Sequence, residues 1–189
     1  MKLDPVINAI HHGIRDDITF ALEHKRYRAT LLLSFSAMDA MAFLDMPAKQ
    51  SDVTRTDFIN WTSRHIVFPG EEQLTGIDLY GARCGLLHTY SAHSKLSREG
   101  DCRHLVFIHQ STGAPVIPHR GARKYVLVSI SALVDALFAG IDRFLPQLFA
   151  DSSRAAVAEE RLGKLMLYEE VPKSDPRFRG FVHRIMNGI

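Results

Sequence analysis

The chain has 189 residues, of which 46% are hydrophobic and 23% are charged, and its net charge is +2 when histidine is counted as neutral. These values are those of an ordinary soluble domain, and they exclude a disordered chain and a polycation that binds nucleic acid by charge alone. The N-terminus lacks the apolar core of a signal peptide, and no uncharged apolar run is long enough to span a membrane. We therefore expect a single cytoplasmic domain over residues 1–189, without a membrane segment.

The first part of the chain carries the pattern of amphipathic helices. Asp4-Pro5 is typical of a helix start. Apolar residues then recur at helical spacing, at Ile7, Ile10, Ile14, Ile18 and Ala21. The charged stretch 25–28 is either a turn or the exposed face of one long bent helix. A second helix is predicted at about 29–46, and within it we interpret Asp39 as an exposed charge rather than as a partner of a functional side chain, because aspartate is seldom fully buried.

Local signals bound the next two helices. Thr54 and Asp57 resemble a capping box, with aspartate in place of the usual glutamate. Pro69-Gly70 should end the helix that they begin. The acidic pair at 71–72 suits the positive end of another helix, which is predicted to run to about His93.

A small β element precedes the strongest helical pattern. The polar stretch 94–103 is predicted to be a loop, and the β-branched runs 104–109 and 124–129 predict a β-hairpin with a long loop, inserted at about 104–129. A long helix begins near Ser131, and Pro146 should bend or shorten it. A last helix at about 153–168 and a basic, aromatic tail at 172–189 follow. The elements predict a mainly α fold, an antiparallel helical bundle with a small inserted β-hairpin.

The predicted middle helix contains the residues best suited to chemistry. Its sequence over 79–90 is LYGARCGLLHTY, in which four residues separate Arg83 from His88. The planar guanidinium of arginine suits a phosphate that gains charge in a transition state. Histidine can transfer protons near neutral pH. Together, these two side chains could cleave RNA without a metal ion.

Helix geometry places a condition on this pair. Residues five apart on an ideal helix lie about 140° apart around its axis. Arg83 therefore lies beside Tyr80, whereas His88 shares its face with Cys84 and Ser91. These three neighbours are candidates for supporting roles. The pair can converge if the arginine side chain wraps round the helix, if the intervening glycine allows a distortion, or if a twofold partner brings a second pair alongside, which favours a homodimer.

This motif follows a helix with the sequence SFSAMDAMAFL at 34–44, and the two stretches together resemble the HEPN superfamily (higher eukaryotes and prokaryotes nucleotide-binding). That family has a bundle of four or five helices and a motif of arginine, four to six residues, and histidine. Many members are metal-independent ribonucleases of toxin, antiphage or RNA-processing systems, with their motifs across a homodimer interface. By this resemblance, which covers about 29–90, Arg83 and His88 are catalytic. The chain departs from the family at Cys84, where active members often have a polar residue.

Other interpretations stay open on the sequence alone. Arg83 could form a structural ion pair, and His88 could be hydrogen-bonded within the core. Cys84 and His88 could supply half of a metal site that Cys102 or His104 completes, but no second helical pair supports this, and we predict no metal and no cofactor. The alternative function is a noncatalytic helical dimer that binds a protein partner or a nucleotide, as an antitoxin or a regulatory subunit.

Overall fold

A computed structural model describes residues 7–91, 93–109, 114–118, 125–163 and 165. This part of the chain is mainly helical, with one small sheet, as predicted. A π-helical segment, Ile7–Arg15, leads into α1. The helices are α1 (Asp16–Glu23), α2 (Tyr27–Asp45), α3 (Arg55–His65), α4 (Gly76–Thr89), α5 (Lys95–Glu99), α6 (Ile130–Ala150) and α7 (Ser152–Leu162), and the strands are β1 (His104–Ile108), β2 (Val116–Pro118) and β3 (Tyr125–Ser129).

A turn at residues 24–26 separates the first two helices, and the rest of the charged stretch, Tyr27 and Arg28, begins α2. Lys25 adopts a left-handed conformation with φ of 56°, and the Arg26 N–H donates to the carbonyl of Ala21 at 2.7 Å. The apolar stripe of the first helix faces inward, since Ile10, Ile18 and Ala21 are buried. The predicted helix start at Asp4-Pro5 lies outside the described residues.

Helix α2 is the centre of the fold. It packs against α1, α3, α4, α6 and α7, so apolar residues are buried around most of its circumference. Phe35, Met38 and Met41 are fully buried there, and they belong to one hydrophobic cluster with Trp61 of α3 and Phe144 of α6. The buried Ser34 hydroxyl donates to the carbonyl of Thr30 at 2.7 Å, which satisfies a polar group within this apolar segment.

Capping boxes begin both α3 and α4. The predicted pair of Thr54 and Asp57 is confirmed at α3. The prediction that residues 71–72 begin the next helix is wrong, because a second capping box, formed by Thr75 and Asp78, starts α4 four residues later. Glu72 instead forms an ion pair with Arg103, just before β1.

The predicted β-hairpin at 104–129 is wrong in its topology. The two predicted strands, β1 and β3, do pair, but they run parallel, with His104 opposite Tyr125 and Ile108 opposite Ser129. Parallel neighbours require a long connection, and here the chain forms the short strand β2 within it. β2 pairs antiparallel with β3, so β3 lies between the other two strands.

Two further boundaries differ from the predictions. The stretch 94–103 contains the short helix α5, which Ser94 caps through the Ser97 N–H. Pro146 lies inside α6, which continues beyond it to Ala150. The last helix, α7, ends at Leu162 in the described part of the chain, and the basic tail lies outside the described residues. None of the described helices has the length and apolar character needed to span a membrane.

Candidate functional site

The candidate pair lies on the outward-facing half of α4. Residues Leu79, Ala82 and Leu86 of this helix are buried against the core. α4 remains a regular α-helix through Thr89, so Arg83 and His88 lie about 140° apart around its axis. They therefore occupy the two flanks of one exposed strip, and the glycine between them does not distort the helix.

Arg83 forms an ion pair with Asp39 of α2. Its Nε donates to Asp39 Oδ2 at 2.9 Å, and the two side chains are only 22% and 21% exposed. The prediction that Asp39 is an exposed charge is therefore wrong. No oxygen of the described residues accepts from the Arg83 Nη groups, and the guanidinium also hydrogen-bonds with Cys84.

The electrostatics of this pair reflect its partial burial. Burial raises the pKa of Asp39 above its ordinary value, and the positive charges of Arg83 and His88 oppose this shift without cancelling it. Burial lowers the pKa of Arg83, but Asp39 and Cys84 together outweigh burial, and the net pKa is above its ordinary value. Arg83 is thus held as a cation, and Asp39 fixes the direction of its guanidinium.

His88 lies in the last turn of α4 and is exposed to solvent. A cation is favourable there, because the C-terminal end of a helix carries partial negative charge. A positive charge on His88 also lowers the pKa of Asp39, so the imidazole, the guanidinium of Arg83 and this carboxylate share one electrostatic environment. The interpretation of His88 as a core histidine is wrong.

Tyr80 and Cys84 lie on the strip between the two flanks. The Tyr80 ring packs edge-on against Phe58, with centroids 5.7 Å apart. Burial and a hydrogen bond with Cys84 raise the pKa of Tyr80 above its ordinary value, although the charges of Arg83 and Arg55 act in the opposite direction. Cys84 is a free, half-buried thiol that hydrogen-bonds with Arg83 as well as with Tyr80. Helix geometry predicts Tyr80 as the neighbour of Arg83, and Cys84 as a residue on the face of His88.

Arg55 is a site neighbour that the sequence reasoning missed. Its guanidinium carbon lies 5.3 Å from the centre of the Tyr80 ring, and that of Arg83 lies 6.0 Å from the same centre. The sequence feature that could have drawn attention to Arg55 is its position at the start of a predicted helix, where acidic residues are favoured. Nothing in the sequence indicated that the start of α3 lies beside Tyr80 of α4.

The end of α4 differs from the prediction that the helix reaches His93. Tyr90 adopts a left-handed conformation with φ of 53° and is 69% exposed, which ends the helix. The Ser91 N–H donates back to the carbonyl of Gly85 at 3.1 Å. Ser91 is therefore off the helix and does not share a face with His88, and its hydroxyl accepts from the His93 N–H at 3.0 Å.

Gly85 allows the segment that follows α4 to fold back against the helix. A Cβ atom at this position would lie 2.5 Å from the backbone oxygen of Ser91, a distance that no side chain can tolerate without a shift of the backbone. The glycine of the motif thus permits close packing of the segment that follows α4.

The structure does not bring the candidate metal ligands together. Cys102 packs against Gly81, on the side of α4 toward α5. Among the described residues, no group of three or more histidine, cysteine, aspartate or glutamate side chains could hold a metal ion.

A separate cavity of about 870 Å³ lies beside the N-terminal half of α4. Asp78, Cys102 and Arg103 line it, together with the stacked rings of His93 and His104, whose centroids are 4.0 Å apart. The described lining includes neither residue of the candidate pair. This cavity is therefore separate from the candidate pair, in which His88 is exposed and Arg83 is 22% exposed.

Comparison of the chain with protein-family models, curated proteins and solved structures gave no match. The HEPN resemblance accordingly stays a proposal, based on the Arg83–His88 motif.

Proposed function

We propose that this chain is a HEPN-like, metal-independent endoribonuclease, of toxin or antiphage type, that acts as a homodimer. The observation that carries the proposal is the difference in environment between the two motif residues, one held by an ion pair and the other exposed to solvent. Arg83 donates through Nε to Asp39, no oxygen of the described residues accepts from its Nη groups, and His88, five residues further along α4, is exposed. A guanidinium held on one flank of α4 and a solvent-accessible imidazole on the other supply the two kinds of group that phosphodiester cleavage needs.

The reaction uses the 2′-hydroxyl of RNA as its nucleophile. His88 takes the proton of that hydroxyl, and the 2′-oxygen forms a bond to the adjacent phosphorus. The guanidinium of Arg83 stabilises the extra negative charge of the phosphorane. The bond from phosphorus to the 5′-oxygen then breaks, and a proton from an imidazolium or from water neutralises the leaving oxygen. The products are a 2′,3′-cyclic phosphate and a 5′-hydroxyl.

A homodimer would supply the second proton-transfer group. One α4 offers one imidazole, which cannot serve as base and acid at the same instant. The exposed strip of a second copy would bring another His88 and another Arg83 to the same phosphate. The proposed assembly thus completes a site that a single copy leaves with one imidazole.

The second candidate is the noncatalytic helical dimer that binds a protein partner or a nucleotide. The Arg83–Asp39 ion pair favours it, because a half-buried arginine with a carboxylate partner can serve packing alone. In that case His88 would be an ordinary surface residue of the binding face.

Cleavage of single-stranded RNA in EDTA separates the two candidates. We expect the wild-type chain to cut, and His88→Ala to lose about two to four orders of magnitude in rate, the range for a lost general acid–base group. Arg83→Ala should lose about two to three orders, the range for one lost donor to a developing oxyanion.

His24→Ala and Arg28→Ala are matched controls, because each removes an exposed side chain of the same type from the α1–α2 region. Both should cut like the wild type. If the wild type cuts nothing under these conditions, or if the four variants behave alike, the noncatalytic candidate replaces the ribonuclease.

A further inference from the structure

We propose that Arg55, held over the ring of Tyr80, binds the phosphate of single-stranded RNA that neighbours the one at Arg83. This inference rests on the proposed function, since it takes RNA as the ligand, and it assigns a binding subsite to a residue outside the motif.

The geometry places two guanidinium groups around one aromatic ring. The Arg55 and Arg83 guanidinium carbons lie 5.3 Å and 6.0 Å from the centre of the Tyr80 ring. The ring is itself fixed by its edge-on contact with Phe58. Both guanidinium groups therefore lie at the Tyr80 ring, and their carbons are at most about 11 Å apart.

The charge of Arg55 is not neutralised by the described part of the chain. Arg55 is exposed, and no described carboxylate forms an ion pair with it. Asp57, the acidic residue two positions away, accepts hydrogen bonds from Thr54 and Gln50 instead. By contrast, Arg64, Arg103 and Arg154 each pair with a carboxylate.

The position of Arg55 in its helix is a second reason why its charge is uncompensated. It is the first residue of α3, where the helix dipole disfavours a positive charge. The capping box already satisfies that helix end, so Arg55 contributes no cap. An uncompensated cation at the positive end of a helix, beside a second guanidinium, creates a local potential that attracts a polyanion.

A short RNA that cannot be cut provides the test. A single-stranded oligonucleotide with 2′-O-methyl groups has no nucleophile, so its binding reports contacts without chemistry. We expect Arg55→Ala to bind it about tenfold more weakly than the wild type at low salt, as for a lost charge-assisted contact. The plot of log affinity against log salt concentration should also become shallower by about 0.7, the change for one lost phosphate contact on a single strand.

Arg28→Ala is the matched control, because Arg28 is also exposed and lies in the first turn of a helix. It is eleven residues from Asp39 along α2, about 16 Å by helical rise, and its loss should leave both values unchanged. Tyr80→Phe keeps the ring and should bind like the wild type, whereas Tyr80→Leu should resemble Arg55→Ala. Arg55→Gln, which keeps the length of the side chain, provides the same test if Arg55→Ala folds poorly.

The inference fails if Arg55→Ala and Arg55→Gln match Arg28→Ala in affinity and salt dependence, or if the wild type does not bind the oligonucleotide. Cleavage of unmodified RNA is scored separately. If binding depends on Arg55 but RNA is not cut, the binding subsite stands and the proposed ribonuclease function is contradicted. If RNA is cut but neither binding nor cleavage depends on Arg55, the ribonuclease function stands and the subsite is contradicted.

Discussion

At the residue scale, Asp39 determines how Arg83 is presented. The carboxylate accepts from Nε at 2.9 Å, and no oxygen of the described residues accepts from the Nη groups. If this orientation serves catalysis, Asp39→Asn should lower the turnover rate by about 10²-fold, the effect of a small misplacement of a catalytic group, with little change in KM. The free energy of unfolding should fall by only about 1 kcal/mol, since the pair retains partial solvent exposure.

Steady-state kinetics and urea unfolding of Asp39→Asn measure these two effects. Asp135→Asn, which changes an exposed carboxylate of α6, is the control and should alter neither. A variant that is destabilised but turns over normally would make the ion pair purely structural.

The sequence could identify Arg83 and His88 but not the environment of Asp39. The motif is contiguous, so its residue types and spacing are visible in one helix. Whether Asp39 is exposed depends on how many neighbours surround α2, and this helix packs against five others. Arg55 shows the same limit, because its place beside Tyr80 depends on how α3 packs against α4.

At the element scale, Asp78 anchors the motif helix to the sheet. Its carboxylate caps α4 through Thr75 and accepts from the backbone and the guanidinium of Arg103 at 2.7–3.0 Å. Burial raises the pKa of Asp78, but the hydrogen bonds from Arg103 and Thr75 outweigh it, and the net pKa is below its ordinary value. This carboxylate is 3% exposed, so its loss leaves Arg103 without its main partner.

Asp78→Asn should therefore lower the free energy of unfolding by about 3–5 kcal/mol at pH 7, as for a broken buried pair. A depressed carboxyl pKa stabilises the fold above the unfolded value of about 3.9 and loses that contribution as pH falls through the folded value. Urea unfolding at a series of pH values should show that the difference in free energy of unfolding between the wild type and the variant narrows below about pH 4. Glu99→Gln removes an exposed ion pair with Lys95 and should show no such gap. A constant gap across pH would contradict this role of Asp78.

Two of the strands could be predicted from the sequence, but their relative direction could not. The β-branched runs at β1 and β3 were sufficient to identify two strands. Their direction was not, because a run of apolar residues is compatible with parallel and antiparallel pairing alike. β2 has only three residues, one of which is Pro118. A strand of this length is too short for a periodic pattern to identify.

At the scale of the whole molecule, the proposal requires a homodimer that buries the exposed strip of α4. Light scattering at micromolar concentration should give a mass near twice the 21.3 kDa of the chain. Leu87→Glu, a charge placed between Arg83 and His88 on the strip, should shift the protein toward the monomer, because an unpaired charge is costly in an interface core. Phe20→Glu, at an exposed residue of α1, is the control and should leave the dimer intact. A wild-type monomer would contradict the assembly.

The chemistry of the RNA ends formed in EDTA tests the central claim most directly. If Arg83 and His88 direct the 2′-hydroxyl onto its own phosphate, every cut should leave a 2′,3′-cyclic phosphate and a 5′-hydroxyl, and an oligonucleotide with a single 2′-deoxy residue at a cleavage position should resist cutting there. Products with a 5′-phosphate, cutting at the 2′-deoxy position, or activity that EDTA abolishes would contradict a metal-independent site at Arg83 and His88.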